Sequence, residues 1–235
     1  MTWIFLLILL IPLICAGAVK LICRGRGAFI FLFAASAVEF ILLILLCGFL
    51  RKLPEGFITH GSFSFFGIDL FSAGFLMAGS LLLLLVSVYA FSWSSAVELA
   101  SGASGDPGKE DGTDPSMAAC LLLFFGTAAF VSCAQNPLSL WLSSEAAVLS
   151  GAWLLGSCRR GTGGTWEMLW KYLLLCSAGL GFAFLGTVLL STAVCQGGTE
   201  QFRWLVFSSF DILSSQMHAG WFKAAFIFLL AGYGT

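Results

Sequence analysis

Ionisable side chains inside long apolar runs are the residues of this sequence that could do chemistry. Glu145 stands near the middle of NPLSLWLSSEAAVLSGAWLLG, residues 136–156. A charge at the centre of a membrane-spanning helix costs at least about 2.5 kcal/mol, and a Glu side chain is too short to reach either membrane surface. Such groups usually face the inside of a helix bundle and often mark ion paths, so the position favours a proton-carrying role. The alternative is a protonated carboxyl that makes a structural hydrogen bond between helices.

Lys171 is the second candidate for a proton path, because it lies at the start of another long apolar run. Its ammonium could instead extend to the membrane surface. Glu167 precedes it by four residues, a spacing that allows an i,i+4 ion pair on one helix face. The sequence leaves these alternatives open.

Four further ionisable residues are weaker candidates. Glu39, in AASAVEFILLILL, is deep enough to need a partner, and the sequence names none. Asp69 opens an apolar run and is expected to be partly wet. Lys223 is interpreted as an interfacial anchor in the second turn of the last run, and His218, just before that run, as an incidental surface histidine.

The elements that must position these residues are membrane-spanning helices. The chain of 235 residues is 59% hydrophobic and 10% charged, whereas soluble domains carry about 25% charged residues. Seven runs reach the roughly 20 apolar residues that a spanning helix needs, and none alternates as a barrel strand would. We therefore predict an all-α polytopic membrane helix bundle. The predicted spans are 3–23, 28–50, 68–92, 117–135, 137–156, 168–195 and 217–235.

Other classes of function are not supported by the sequence. The net charge of −1 offers no basic surface for nucleic acid. The chain has no C-x-x-C, H-E-x-x-H, Rossmann or P-loop motif, so no metal, cofactor or redox centre is predicted. The polar stretch SGASGDPGKEDGTDPS, residues 101–116, is interpreted as a flexible connector.

The distribution of basic residues predicts the orientation in a cell (inner) membrane. The first, third and fifth connections carry six Lys and Arg residues, and the others carry three. The positive-inside rule then places the odd-numbered connections in the cytoplasm and the N-terminus outside. The first positive residue is Lys20, after the first apolar run, so that run is expected to be a retained span rather than a signal peptide.

Several of these runs resemble one family of membrane proteins. FFGIDLFSAGFLMAGSLLLLLVSVYAF, NPLSLWLSSEAAVLSGAWLL, WKYLLLCSAGLGFAFLGTVLL and KAAFIFLLAGYGT occur in the order seen in antiporter-like subunits. These are the large membrane subunits of respiratory complex I, membrane-bound group 4 hydrogenases and multisubunit cation/proton antiporters. AFIFLLAGYGT together with KYLLLCSAGLGFAFLGT most resembles hydrogenase-4 component F and related formate hydrogenlyase subunits. The likeness extends from about residue 60 to the end.

The resemblance implies roles for individual residues. Glu145 matches the family's glutamate in the fifth span, in a central charged path. Lys171 followed by Tyr172 matches the lysine and aromatic residue that begin its sixth span, and Asp69 matches an aspartate of structural role that opens the third. The family's key proton-carrying lysine follows directly after the GYGT-like stretch, and this chain stops at Thr235.

The resemblance also implies an organisation and a function. Family members have about fourteen spans, with two inverted repeats of five, and this chain would supply the first seven. Residues 1–67 are predicted to form a two-helix segment with an outer loop, and residues 68–235 a partial antiporter-like domain. The implied function is a membrane subunit of a redox-driven proton-pumping complex that contributes a proton half-channel. Its partners would be other membrane and hydrophilic subunits and the lipid bilayer. The alternatives are a non-pumping scaffold that docks redox subunits, or an inactive truncated fragment.

Overall fold

The computed structural model describes residues 2–22, 26–51, 57–59, 66–104, 115–158, 164–195 and 218–234. Within these ranges the chain forms seven helices and a two-stranded ribbon, which confirms the predicted all-α bundle. The strands of the ribbon are β1 (Phe57–Thr59) and β2 (Gly67–Asp69). The helices are α1 (Thr2–Ile22), α2 (Arg26–Leu50), α3 (Leu70–Ser104), α4 (Pro115–Ser132), α5 (Pro137–Cys158), α6 (Thr165–Cys195) and α7 (Ala219–Tyr233).

All seven predicted spans fall on helices. Five helices, α2 to α6, are long and apolar enough in their described residues to cross a membrane. The first and last contribute shorter apolar helices, Leu9–Leu21 and Ala219–Tyr233. The chain is therefore a membrane protein.

Local sequence signals account for where α4 and α5 begin. Pro115 and Pro137 are their first residues, a position where proline fits because no intrahelical N–H bond is needed there. Asn136 caps α5, because its Oδ1 accepts a hydrogen bond of 2.7 Å from the backbone N–H of Ser139. Both signals are short-range, so α5 begins where the sequence predicts.

The interpretation of residues 101–116 as a connector is partly wrong. α3 continues to Ser104, and α4 already begins at Pro115. Ala96, Glu98 and Leu99 are strong helix formers, so the helix extends past the apolar run that suggested its end near residue 92. The middle of the stretch, 105–114, lies outside the described residues.

The chain divides into two compact units by its internal packing. The first contains Met1–Ile58 and Ile68–Ser132, and the second Thr59–Gly67 and Cys133–Thr235. The units thus hold α1–α4 and α5–α7. The division predicted from the family resemblance, after residue 67, stays a prediction.

In the first unit, α2 and α3 each bury one residue at every third or fourth position. This spacing gives each helix a narrow stripe that faces its neighbours, as in coiled coils. Together the two stripes are mostly aliphatic but contain three serines and one glutamate. Its members are Leu32, Ser36, Glu39, Leu43, Leu46 and Leu50 on α2, and Ala73, Leu76, Ser80, Leu83, Ser87 and Ala90 on α3.

In the second unit, α6 and α7 approach so closely that only glycine fits at two positions. A Cβ added at Gly232 would lie 2.3 Å from the backbone nitrogen of Ala183, and one at Gly186 would lie 2.7 Å from Cγ of Leu229. Small residues allow such approach between membrane helices. Gly181, also on α6, has nothing within 4 Å of an added Cβ.

Candidate functional site

Glu145 lies on the side of α5 that packs against α6. Trp141, one turn earlier on the same side, donates a hydrogen bond of 2.9 Å from its indole N–H to the carbonyl of Leu180. Its ring centroid is 4.7 Å from that of Phe184, also on α6. Glu145 itself is half-buried. The carboxyl therefore lies beside the α5–α6 contact rather than on the outermost surface of α5.

The Glu145 carboxyl has no bonded partner within the described part of the chain: no donor lies within hydrogen-bond distance and no cation within ion-pair distance. The alternative of a structural hydrogen bond between helices is thus not supported by the residues that are described.

The serines near Glu145 in sequence do not surround it in space. At 100° per residue, Ser143 lies almost opposite Glu145 on α5. Ser143 is buried and donates to the carbonyl of Ser139 at 2.6 Å, and Ser150 donates to that of Ala147 at 2.9 Å. Both serines thus bond to carbonyls of their own helix, and within the described part of the chain neither bonds to Glu145.

Tyr233 is a residue near the site that the sequence analysis missed. Its phenol, on α7, lies close enough to interact with the side chain of Ser144, the residue next to Glu145. A tyrosine near the end of an apolar helix generally finds a partner for its hydroxyl, and this is the signal that could have identified it. The contact brings the last turn of α7 beside the middle of α5.

Lys171 is held by Glu167, as the i,i+4 spacing allows. Its Nζ lies 2.5 Å from Oε1 of Glu167, and the two side chains are 61% and 66% exposed. The structure does not bring Lys171 to Glu145. Helices α5 and α6 run antiparallel, because Gly156 lies beside Leu169 and Trp141 beside Leu180. In this register, Glu145 and Lys171 are about 9 Å apart along the axis of α6.

Asp69 caps the N-terminus of α3. Its Oδ1 accepts a hydrogen bond of 2.7 Å from the backbone N–H of Ser72. A carboxylate at this position satisfies a free N–H and interacts favourably with the helix dipole. The geometry assigns Asp69 a structural contact.

Replacing Asp69 by Ala is expected to lower the free energy of unfolding by about 1 kcal/mol, since the cap is lost. Asn keeps an oxygen acceptor, so Asp69→Asn should retain most of that stability. Unfolding in detergent micelles measures both variants. Equal losses in the two would contradict the capping role.

Lys223 and His218 lie at the start of the last helix, and neither is linked to Glu145. Both side chains are exposed. His218 precedes α7 without capping it through its side chain, and its backbone N–H donates to the carbonyl of Ala193 at 3.2 Å. Their interpretation as an anchor and an incidental histidine stays a prediction.

Glu39 is the one carboxylate among the described residues that is nearly inaccessible, with 3% of its surface exposed. Its Oε2 is buried and has no hydrogen-bond partner within the described part of the chain. The sequence predicted that this residue needs a partner. It lies in the first unit and Glu145 in the second.

Metal ligation finds no support in the described ranges: no three His, Cys, Asp or Glu side chains there come together as a metal-binding group. That the chain carries no cofactor stays a prediction.

Two solved respiratory membrane complexes contain chains with the same fold. For a chain of respiratory complex I from Thermus thermophilus, solved with bound aureothin, the TM-score is 0.68 at 17% identity, and the match covers 97% of this chain and 43% of that one. For a chain of the membrane-bound sulfane sulfur reductase, an archaeal respiratory membrane complex, the TM-score is 0.73 at 16% identity, with coverage of 96% and 43%. No family model and no curated protein matches the sequence.

These likenesses define the class of the protein by fold. It is a multi-pass α-helical membrane protein with the fold of chains found in respiratory membrane complexes. It spans 43% of the length of each of those two chains. The finer resemblance to hydrogenase-4 component F stays a prediction.

Proposed function

We propose that this chain is a membrane subunit of a redox-driven proton-pumping complex and that Glu145 holds a proton on the path through it. The observation that carries the proposal is a half-buried carboxyl without a partner, on a spanning helix, in a chain with the fold of respiratory membrane complexes. Placing an ionisable carboxyl in a membrane-spanning helix has a high free-energy cost, and such groups usually serve ion transfer. Its partners would be the membrane and hydrophilic subunits of the complex.

Lys171 acts in this proposal as a charge that can change partners. While it is bound to Glu167 it lies about 9 Å along α6 from the level of Glu145. A positive charge near a carboxylate favours its ionised form. Movement of Lys171 from Glu167 towards Glu145 would therefore weaken proton binding at Glu145, and its return would strengthen it.

The redox reaction that drives this movement would take place in partner subunits, and the chain itself would transfer only protons. The proton would bind to a carboxylate oxygen of Glu145 when the positive charge is distant. It would leave when the charge approaches. This is why Glu145 must be able to ionise.

A non-pumping scaffold is the second candidate function, and the Lys171–Glu167 ion pair favours it. The lysine that the resemblance assigns to the path is bound at an exposed position instead. A scaffold would keep its function when Glu145 is made neutral. It would lose function when the connections that contact hydrophilic subunits are changed.

Proton transfer by membrane vesicles that contain the assembled complex distinguishes the two functions. With Glu145→Gln we expect the complex to assemble and acidification to stop. Unchanged acidification would reject the proton path and leave the scaffold.

A further inference from the structure

A polar row interrupts the aliphatic contact between α2 and α3 in the first unit. Ser36 and Ser87 meet across the two helices, with their hydroxyl oxygens 3.2 Å apart. Both are fully buried, and so is Ser80 on α3. Glu39 follows Ser36 by one turn on the same stripe.

The register of the two helices places Glu39 within this row. As consecutive spanning helices, α2 and α3 run in opposite directions. From the Ser36–Ser87 contact, Glu39 is displaced by about 4.5 Å along the axis of α2. Ser80 on α3 is displaced in the same direction by about 10 Å. Along the contact between α2 and α3, the Glu39 carboxyl therefore has the Ser36–Ser87 pair on one side and Ser80 on the other.

Each hydroxyl proton of the row has an acceptor within reach. The Oγ of Ser36 lies 2.9 Å from the carbonyl of Phe33, that of Ser87 lies 2.7 Å from the carbonyl of Leu84, and that of Ser80 lies 2.9 Å from the carbonyl of Met77. Either Ser36 or Ser87 can instead donate to the other. A hydroxyl has one proton to donate and two lone pairs that accept. The row thus offers acceptors to a neighbouring group and no free donors.

Among the described residues, no positive charge compensates Glu39. Of the titratable groups on the helices packed against it, the thiol of Cys15 on α1 is close enough to interact electrostatically. Lys20, the cation of α1, is exposed. α4 contributes the buried Cys120, and Tyr89 on α3 is 67% exposed. No cation lies within ion-pair distance of Glu39 in the described part of the chain. An ionised carboxylate here would lack both donors and a counter-charge, which is strongly unfavourable.

We infer that Glu39 is a proton-binding site of the first unit, occupied in this conformation, with the side chain present as the neutral carboxylic acid. A neutral acid carries its own donor and tolerates neighbours that only accept. The proton leaves when water or a cation enters between α1, α2 and α3, so that proton release requires loosening of this contact. The site is separate from Glu145 and does not depend on the proposed function.

Infrared spectroscopy of the purified full chain in lipid, at neutral pH, tests the inference. A neutral carboxylic acid gives a C=O stretching band that a carboxylate lacks. We expect such a band in the unmodified protein and its loss in Glu39→Gln. Glu167→Gln is the matched control, because Glu167 is exposed and paired with Lys171 and should contribute no such band.

A spectrum of Glu39→Gln that keeps every carboxylic acid band of the unmodified protein would overturn the inference. Folding of the variant is a second test. Glutamine is neutral and has nearly the shape of the acid, so the variant should unfold at a temperature close to that of the unmodified protein. Failure of Glu39→Gln to fold, while Glu167→Gln folds, would show that the position requires a charge and would also overturn the inference.

Discussion

Gly232→Ala is expected to separate α6 from α7 and to destabilise the second unit. The added Cβ would lie 2.3 Å from the nitrogen and 2.6 Å from the Cα of Ala183. Both are backbone atoms, so no side-chain rotation relieves the overlap. Overpacking of a core costs about 1–3 kcal/mol when side chains can move, and we expect at least about 3 kcal/mol here.

Gly181→Ala is the matched control, since it makes the same substitution on α6 where an added Cβ has nothing within 4 Å. Alanine is a better helix former than glycine, so this variant should be neutral or up to about 1 kcal/mol more stable. Thermal unfolding in detergent micelles measures both. Equal unfolding temperatures for the two variants would contradict the close packing of Gly232 on Ala183.

Glu145→Gln is expected to have the largest effect on function. The amide has the size of the carboxyl but cannot bind and release a proton at neutral pH. Loss of a positioned proton-transfer group slows a reaction by about a hundredfold or more. Because Glu145 has no bonded partner among the described residues, its replacement removes no contact that holds the helices. We expect normal amounts of assembled complex and almost no proton transfer.

Two further variants sharpen this expectation. Glu145→Asp keeps an acid with a shorter side chain and should retain part of the proton transfer. Glu167→Gln releases Lys171 from its ion pair, so in the proposed mechanism it should also alter proton transfer, although the carboxyl of Glu145 remains. Unchanged proton transfer in Glu167→Gln would contradict the change of partner proposed for Lys171.

The fold was largely predictable because membrane spans are determined by local composition. Length and hydropathy of a run decide whether it can cross lipid, and Pro137 after Asn136 places the start of α5 to the residue. The extension of α3 to Ser104 was not predicted, since its last turns are polar but rich in helix formers. Apolar length predicts the span and not the whole helix.

The depth of Glu145 was predictable from its place in the run, but its surroundings were not. Ser143 is two residues away in sequence and nearly opposite on the helix. The contact between Tyr233 and Ser144 depends on how α7 packs in the second unit, which no local pattern determines. The Lys171–Glu167 pair is the contrary case: it is local on one helix, and the spacing indicated it.

Glu39 shows the same division between local and long-range information. Its apolar setting in the sequence predicted a buried carboxyl in need of a partner. The serines opposite it on α3 come from a helix more than 40 residues further along, and only the packing of α2 on α3 brings them beside the carboxyl. Sequence therefore identifies the buried acid, and the packing supplies the surroundings from which we infer its protonation state.

The number of protons transferred per electron tests the central proposal most directly. It is measured in sealed vesicles that contain the assembled complex, with electron transfer and acidification recorded together. For Glu145→Gln we predict that electron transfer continues while the ratio of protons to electrons falls close to zero. An unchanged ratio in a complex with Gln at position 145 would contradict a proton path through this residue.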